Sequence, residues 1–310
     1  MTAVGTVMPA AGQQPPGPAA GVVLAGRYRL GERLGRGSGA EVFRAVDLAG
    51  GPDAAVKIAT AGHRRHQQRI HNEAAVLAGL DHPSIVRFIA GGVMPAGGPS
   101  SGHAFLIEEL ALGTSLAEAI RVQSPRPADV AGWARGLFGA LAHLHSRGLV
   151  HRDIKPANLM LSGLRRSPVR IIDFGITAAA GSAPEPGISS GTVHYMSPEQ
   201  ASGQVADPSW DVYAMGLVLL ELLTGTKAFP GTAIESLVAR TLRSPQVPDH
   251  LGDWGVLLRA LTAMDAAARP TAADAAAMAA QLVPAVPRGD QGSPCRTRRI
   301  FPGRRHRQEL

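Results

Sequence analysis

The pattern of apolar and polar positions divides the chain into a part of short strands and a part of helices. Up to about residue 109, short apolar runs such as 54–58 alternate with glycine-rich turns, which predicts antiparallel strands. Residues 64–80 contain few helix breakers and predict one helix among these strands. After Gly113 the composition becomes typical of helices, so we expect a larger helical part there.

Two segments of the second part have strong helical patterns. Between residues 128 and 146, apolar side chains recur three and four positions apart, as in a helix that packs one face on a core. Residues 212–223 are almost continuously apolar and predict a buried central helix, because the run is too short to cross a bilayer and contains Glu221. The periodic residues of the first helix are Val130, Trp133, Leu137, Ala140, Leu141 and Leu144.

Three segments lack such patterns. Residues 1–26 consist mostly of Ala, Gly, Pro and Val without a charged side chain, and we predict that they are disordered. Residues 90–102 are rich in Gly, Pro and Ser and predict a mobile loop between strands. Residues 284–310 predict a flexible basic tail.

Composition limits the class of protein. Of 310 residues, 45% are hydrophobic and 18% are charged, which argues against global disorder. The formal charge is +7, but residues 288–310 contain seven arginines against two acids, so +5 of it belongs to the tail. The body is therefore close to neutral, and a nucleic-acid partner is not favoured. The tail alone suggests contact with an anionic surface, or simply a solvated terminus.

The same composition predicts a soluble cytoplasmic protein. Cys295 is the single cysteine, so an intrachain disulfide is excluded and a reducing compartment fits. The N-terminus lacks the basic start and continuous apolar stretch of a secretory signal. The eleven histidines lack matching acids or cysteines at metal-ligand spacings, and we interpret them as surface or core residues.

The candidate chemistry is concentrated in 151–158, which reads His-Arg-Asp-Ile-Lys-Pro-Ala-Asn. Asp173, in Asp-Phe-Gly, follows Leu161 by twelve residues and comes close if the segment between folds back as a hairpin. Phosphoryl transfer from ATP needs a carboxylate to accept a proton, oxygen ligands for Mg²⁺ and a cation for the phosphate charge. Asp153, Asn158 with Asp173, and Lys155 could supply these groups.

These motifs resemble the catalytic loop and metal-binding motif of eukaryotic-type protein kinases, and Lys155 resembles the serine/threonine branch. The composition and the Ser-Pro-Glu-Gln sequence that begins at Ser197 resemble the bacterial Hanks-type members. The resemblance implies an α+β, two-lobed kinase fold over residues 27–283. The small lobe, 27–109, would be rich in strands with one main helix, and the large lobe, 115–283, would be helical.

For the nucleotide, the resemblance implies a glycine-rich loop over the phosphates and Lys57 on the α- and β-phosphates. Glu73, on the predicted helix, would pair with Lys57, although a solvated helix face is the alternative for it. Ala40 stands where the family has its third glycine. The residues implied to bind the nucleotide are Gly35, Gly37, Gly39, Val42, Ala55, Lys57, Glu109, Ala111 and Met160.

Glu108 departs from the family, which has an apolar residue at this position at the back of the adenine pocket. The resemblance implies that Glu109, Leu110 and Ala111 form the hinge between the lobes. Either Glu108 has a local partner, or this hinge assignment is shifted by one residue. The side chain of a buried glutamate needs such a partner because an isolated charge is costly to bury.

The resemblance also implies a segment for regulation and substrate binding between Asp173 and Glu199. Arg152 would receive a phosphate from it, with Ser189 and Ser190 as candidate acceptors ahead of Thr177 and Ser182. Three structural roles follow from the family: Thr192 would contact Asp153 and Lys155, Asp211 would hold the backbone of the catalytic loop, and Arg269 would pair with Glu199. His151 would stack with Phe174, Leu77 and Phe88.

The sequence thus predicts a serine/threonine protein kinase that uses ATP and Mg²⁺, with Mn²⁺ as a substitute, and acts on protein Ser and Thr hydroxyls. Self-association would allow autophosphorylation. Two rivals are a pseudokinase scaffold, which should lack Lys57, Asp153 or Asp173, and a small-molecule kinase, which should lack the pair Glu199 and Arg269. All five residues are present.

Overall fold

A computed structural model describes residues 21–283 of the chain, except 38, 61–63, 99, 123–124, 163–166 and 184–192. The described residues form a strand-rich small lobe and a helical large lobe, so the predicted two-lobed α+β fold is confirmed. The small lobe contains one antiparallel sheet, in the order β1-β2-β3-β4-β6-β5, and the helix α1 (Arg64–Ala78). Its strands are β1 (Val23–Leu24), β2 (Tyr28–Arg36), β3 (Ala40–Asp47), β4 (Ala54–Ala59), β5 (Phe88–Val93) and β6 (Ala104–Glu109).

The sheet begins earlier than the composition predicts. Val23 pairs with Arg29 and Leu24 with Tyr28, and Leu24 is buried in the core of the small lobe. The prediction of disorder for residues 1–26 is therefore wrong for 21–26. Leu24 packs in the core of the small lobe, and this contact cannot be predicted from the composition of the segment. Residues 1–20 lie outside the described part of the chain.

The predicted loop 90–102 is also too long, because β5 extends to Val93. A Cβ atom on Gly92 would lie 3.1 Å from the ring of Phe105, so glycine lets the aromatic ring cover the strand at this position. Glycine composition indicated a loop, whereas the glycines here serve close packing inside a sheet.

The large lobe is built around two helices. Helix α3 (Pro127–His145) buries the predicted apolar face, with Trp133 partly buried, and α5 (Ser209–Thr224) is surrounded by protein, as its continuous apolar sequence predicts. Gly225, with φ 72°, ends α5 in the left-handed conformation that favours glycine. The other α-helices among the described residues of this lobe are α2 (Leu116–Val122), α4 (Pro198–Ala201), α6 (Ala233–Leu242), α7 (Asp253–Leu261) and α8 (Ala272–Gln281).

Two small sheets lie where the lobes meet. Strands β7 (Gly113–Ser115), β9 (Leu159–Ser162) and β10 (Val169–Ile171) form one, and β8 (Leu149–Val150) pairs with β11 (Ala178–Ala179) in the other. The pairing of β9 with β10 is the predicted hairpin. It returns the chain from the end of the catalytic loop to the Asp-Phe-Gly motif.

The segment that follows α1 is fixed to the large lobe rather than to the small one. Ile85 forms a parallel bridge with Ile171 of β10, through hydrogen bonds from Ile171 N to Ser84 O (2.9 Å) and from Val86 N to Ile171 O (3.2 Å). The Nε of Arg147 also donates to the carbonyl oxygen of residue 79 at 3.1 Å. The C-terminal end of α1 is therefore attached to the large lobe by hydrogen bonds.

The described residues contain no helix that combines the length and the apolar character needed to cross a membrane.

Candidate active site

The catalytic loop is fixed by Asp211, at the start of α5. Its Oδ2 accepts a hydrogen bond from the backbone N–H of His151 at 2.8 Å, and its Oδ1 accepts one from that of Arg152 at 2.9 Å. His145 adds a third contact to Oδ2 at 2.9 Å. Burial would raise the pKa of Asp211, but the bond from His145 and the nearby charges lower it below its usual value. Arg152 adopts φ 67°, a conformation that non-glycine residues rarely take and that Asp211 supports here.

This loop brings Asp153, Lys155 and Asn158 together. The ammonium of Lys155 lies 2.9 and 2.7 Å from the two carboxylate oxygens of Asp153. The side-chain amide of Asn158 donates to the backbone oxygen of Asp153 at 2.9 Å and to its Oδ2 at 3.0 Å. These bonds fix the carboxylate in one orientation.

Asp173 lies beside Asn158 because the hairpin closes there. The backbone N–H of Ile172 donates to the carbonyl oxygen of Asn158 at 3.1 Å. Burial would raise the pKa of Asp173, but Lys57 and Lys155 outweigh it and lower the pKa below its ordinary value. Since Nδ2 of Asn158 is used toward Asp153, its Oδ1 is the atom that could bind a cation. An ionised carboxylate and an amide oxygen are ligands that Mg²⁺ accepts, so these residues fit a divalent metal.

Lys57 is buried at the meeting point of both lobes. Its Nζ donates to Oε1 of Glu73 on α1 at 2.5 Å and to the carbonyl oxygen of Ile172 at 2.7 Å. The same Oε1 accepts the backbone N–H of Phe174 at 3.1 Å. The predicted ion pair is confirmed, and the alternative of a solvated face for Glu73 is wrong, because Glu73 is only 3% exposed. The pair thus connects α1 to the Asp-Phe-Gly motif.

Glu108 has the local partner that its position requires. It lies on β6 opposite Ala55, and its Oε1 is 3.0 Å from Nζ of Lys57. Of the two alternatives for Glu108, the structure therefore shows the local partner. Burial would lower the pKa of Lys57, but Glu108 and Glu73 together raise it above its ordinary value.

An apolar patch in the cleft contains two of the predicted nucleotide-binding residues, Val42 and Ala55. They pack with Leu34 and Leu110 in a small cluster of their own. Met160, on β9, is buried at 3% exposure. Leu34 is a member of this patch that was not predicted from the sequence, although it directly precedes Gly35. An apolar cluster of this kind fits the flat face of an adenine ring.

The glycine-rich loop is a hairpin between β2 and β3. Gly35 pairs with Val42, and the N–H of Gly37 donates to the carbonyl oxygen of Ala40 at 2.8 Å. A Cβ atom on Gly39 would lie 3.2 Å from the His66 ring, so the hairpin passes close to the start of α1. Glycine at that position permits this approach.

The hinge contains an ion pair that the sequence did not predict. The carboxylate of Glu109 binds the guanidinium of Arg170, which is buried on β10. The backbone N–H of Glu109 donates to the carbonyl oxygen of Arg87 at 2.8 Å. Ala111 packs partly buried against the core of the large lobe. The hinge is thus fixed to the large lobe immediately after the sheet ends.

Arg152 contacts the segment that follows the Asp-Phe-Gly motif. Its guanidinium donates to the carbonyl oxygens of Ile176 at 2.5 Å and of Ala183 at 3.4 Å. Thr177 is buried at 6% exposure, which makes it a poor phosphate acceptor in this conformation. Ser189, Ser190 and Thr192, for which acceptor or contact roles are predicted, lie outside the described residues.

Two further predicted contacts are confirmed. The guanidinium of Arg269 binds both carboxylate oxygens of Glu199, at 3.0 and 2.7 Å. The ring of His151 meets that of Phe174 edge-on, with centroids 4.9 Å apart. Leu77 belongs to the same large core cluster as Phe174, and Phe88 packs partly buried against that cluster.

Comparison with known proteins gives the same answer as the geometry. The family described as "Protein kinase domain" matches residues 28–279. The serine/threonine-protein kinase PknB of Mycolicibacterium smegmatis is 35% identical over 233 residues, which cover 73% of this chain and 37% of that protein. PknB of Mycobacterium tuberculosis gives the same values. A probable serine/threonine-protein kinase of Streptomyces coelicolor is 37% identical over 234 residues, or 73% of this chain and 34% of that protein. The chain spans about a third of the length of these relatives.

Proposed function

The chain belongs to the protein kinase family, in the eukaryotic-type branch to which its bacterial relatives belong, and from this we propose that it is a serine/threonine protein kinase. It transfers the γ-phosphoryl group of ATP to Ser or Thr hydroxyls of proteins. The observation that carries the proposal is the single network in which Lys57 binds both Glu73 and the backbone next to Asp173. This network supports the proposal because Lys57, which would bind the phosphates, contacts the backbone next to Asp173, which would bind the metal.

In this proposal Asp153 is the residue that accepts the proton of the attacking hydroxyl. Lys155 and Asn158 hold its carboxylate by hydrogen bonds, so it needs little reorganisation when the substrate arrives. The ammonium of Lys155 lies beside the same carboxylate and stabilises the phosphate charge that develops during transfer. Positioning and electrostatic stabilisation are the main contributions that a protein makes to this reaction.

Lys57, held by Glu73, binds the α- and β-phosphates, and the turn with Gly35, Gly37 and Gly39 covers them. Val42, Ala55 and Met160 contact the adenine, and the backbone of Glu109 and Ala111 forms the hinge beside it. The side chain of Glu109 is already bound to Arg170, so its backbone, rather than its carboxylate, is the group that faces the nucleotide.

Asn158 and Asp173 hold the divalent metal, which we propose to be Mg²⁺, with Mn²⁺ as a substitute. When bound, the metal would supply positive charge that offsets the charge of the phosphates. Asp173 supplies a full negative charge and Asn158 a neutral oxygen, so Asp173 contributes most of the affinity.

Protein substrates fit the platform that follows the Asp-Phe-Gly motif, where Glu199 and Arg269 form a buried pair. We propose residues 27–283 as the kinase domain, which the family match over 28–279 supports, with 284–310 as a basic tail. Self-association for autophosphorylation is part of the proposal, and a nucleic-acid partner is not. The cytoplasmic location stays a prediction of the sequence.

The test is transfer of labelled phosphate from ATP and Mg²⁺ to the protein itself or to a basic model protein. Lys57→Met and Asp153→Asn should each abolish transfer, while circular dichroism shows the wild-type helix content. Asp249→Asn is the matched control, because that carboxylate is fully exposed in the large lobe, and it should keep wild-type activity. Near-normal activity of Asp153→Asn would show that the assigned base is wrong.

We also propose that phosphate on Ser189 or Ser190 activates the enzyme. Arg152 supports this, because its guanidinium lies against the start of the segment that carries both serines. Mass spectrometry of the active protein should find phosphate on one of them, and phosphatase treatment should slow the enzyme. Full activity of a Ser189→Ala, Ser190→Ala double variant would exclude this switch.

A further inference from the structure

Glu108 is a carboxylate in an otherwise apolar stretch of β6. The three residues before it, 105–107, are buried and apolar, and Glu108 itself is only 4% exposed. Burying an ionised carboxylate costs free energy unless a partner compensates it. Its partner, Lys57, already has another carboxylate, Glu73, at a shorter distance.

Lys57 has three N–H donors, and three acceptors surround it. These acceptors are Glu73 at 2.5 Å, the carbonyl oxygen of Ile172 at 2.7 Å and Glu108 at 3.0 Å. A nucleotide phosphate that binds Lys57 must therefore replace one of these three partners. The contact to Glu108 is the longest of them.

Glu73 and Glu108 differ in how firmly they are held. Oε1 of Glu73 also accepts the backbone N–H of Phe174 at 3.1 Å, so Glu73 stays fixed if Lys57 moves. Within the described part of the chain, Oε2 of Glu108 is buried and has no hydrogen-bond donor. Glu108 is therefore the partner that a phosphate can displace at the smallest cost in hydrogen bonds.

The charges around Glu108 make its ionised form unfavourable. The groups that face it are Lys57 on β4, Glu73 on α1 and Asp173 after β10. With Glu108 itself, three carboxylates therefore surround one ammonium. Strand β5, on the other side of β6, contains no titratable side chain. Glu109, the next residue on β6, is paired with an arginine of β10 instead.

We propose that Glu108 is a second, displaceable positioning residue for Lys57, and that nucleotide binding is coupled to the uptake of one proton by its carboxylate. The nucleotide phosphates take its place on the ammonium, and the displaced carboxylate binds a proton from solvent. This inference rests on the proposed function, because it assumes that nucleotide phosphates bind at Lys57.

The electrostatics give the pH range and the sign. Burial, with the nearby charges of Glu73 and Asp173, raises the pKa of Glu108 from 4.5 to about 8, even though Lys57 opposes the shift. Loss of the Lys57 contact removes the group that lowers this pKa, so the pKa rises further in the complex. The protonated form is then favoured by binding. Affinity is independent of this group well below about pH 8 and falls as the pH rises above it.

The test is calorimetric titration of the full chain with ADP and Mg²⁺, which cannot turn over and whose phosphates are fully ionised in this pH range. At about pH 8.5, two buffers of different ionisation enthalpy should give different binding enthalpies, corresponding to uptake of more than about half a proton per ADP. The Kd should also rise about tenfold between about pH 7 and about pH 9.

Two variants separate Glu108 from other sources of protons. Glu108→Gln keeps the shape and an acceptor for Lys57 but cannot titrate, so its binding enthalpy should be equal in both buffers and its Kd should not change with pH. Glu221→Gln is the matched control, because burial also raises the pKa of Glu221 but its partner is Tyr195 in the large lobe. It should behave as the wild type does.

The outcomes distinguish this inference from the proposed function. Absence of ADP binding by the wild-type protein would overturn the proposed function and this inference with it. Binding with equal enthalpy in both buffers would overturn the inference alone, and this comparison needs no variant to fold. Proton uptake that persists in Glu108→Gln would assign the proton to another group and overturn it as well.

Discussion

The ion pair between Arg269 and Glu199 allows a quantitative test of the large lobe. The side chain of Arg269 is completely buried, and that of Glu199 is 13% exposed. Besides its two bonds to Glu199, the guanidinium donates to the carbonyl oxygens of Ala263 (2.9 Å), Ser209 (3.3 Å) and Met264 (3.4 Å). One residue therefore serves five acceptors at the junction of three segments.

Replacing Arg269 by Met keeps most of the volume but leaves the Glu199 carboxylate without its counter-charge. Removing one partner of a buried ion pair costs about 3–5 kcal/mol. Glu199→Gln keeps a hydrogen-bond acceptor but leaves the buried guanidinium of Arg269 without its counter-charge, so we expect it to lower the stability as well. For a domain of this size, each kcal/mol lowers Tm by about 2–4 °C. We therefore expect Arg269→Met to lower Tm by about 6–20 °C.

Thermal unfolding followed by circular dichroism measures the effect, with Arg259→Met as the control. Arg259 also contacts an aspartate, Asp249, at 3.1 Å, but that carboxylate is fully exposed. Exposed pairs contribute little because water screens them, so the control should unfold at the wild-type temperature. Equal Tm values for Arg269→Met and Arg259→Met would refute the argument that burial gives this pair its strength.

Further predictions concern the metal site, Gly113 on β7 and the basic tail. Asp173→Ala should weaken Mg-dependent ATP binding more than Asn158→Ala, and equal small losses in a titration would count against the metal site. Gly113→Ala should lower Tm, because Gly113 has φ 145° and an added Cβ would overlap the carbonyl oxygen of Leu161; an unchanged Tm would contradict this backbone approach. Deleting 288–310 should leave activity on a short peptide unchanged and reduce retention on heparin at low salt. Unchanged retention would exclude the tail as a docking element.

The catalytic loop and its hairpin could be predicted because their information is local. Asp153, Lys155 and Asn158 lie within six residues, and the apolar residues after Asn158 and before Asp173 are enough to specify two paired strands. The ion pair of Lys57 with Glu73 needed the family pattern, since its partners lie on different elements.

The contacts that the sequence did not predict depend on distant elements. The Arg170–Glu109 pair joins residues about sixty positions apart, and neither residue type at its place signals the other. Arg240, on α6, is completely buried, with its guanidinium bound to the carbonyl oxygen of Met196 and to Ser236. A helix pattern alone would place such an arginine in solvent. Arg240 is buried because the carbonyl oxygens of Ser236 and Met196 lie within reach of its guanidinium, and the contact with Met196 is visible only in the tertiary structure.

The bridge between Ile85 and Ile171 constrains how the two lobes can move. The lobes share a covalent crossing at the hinge, near Ala111, and a second, hydrogen-bonded crossing at residues 84–86. Two fixed points define a line, so the remaining low-cost motion is a rotation of the sheet about that line rather than a translation. Glu73 lies on α1, which ends just before the second crossing, and its Oε1 accepts the backbone N–H of Phe174 in the large lobe. The helix is thus held to the large lobe at both places, and we expect an opening of the cleft to move the glycine turn more than α1.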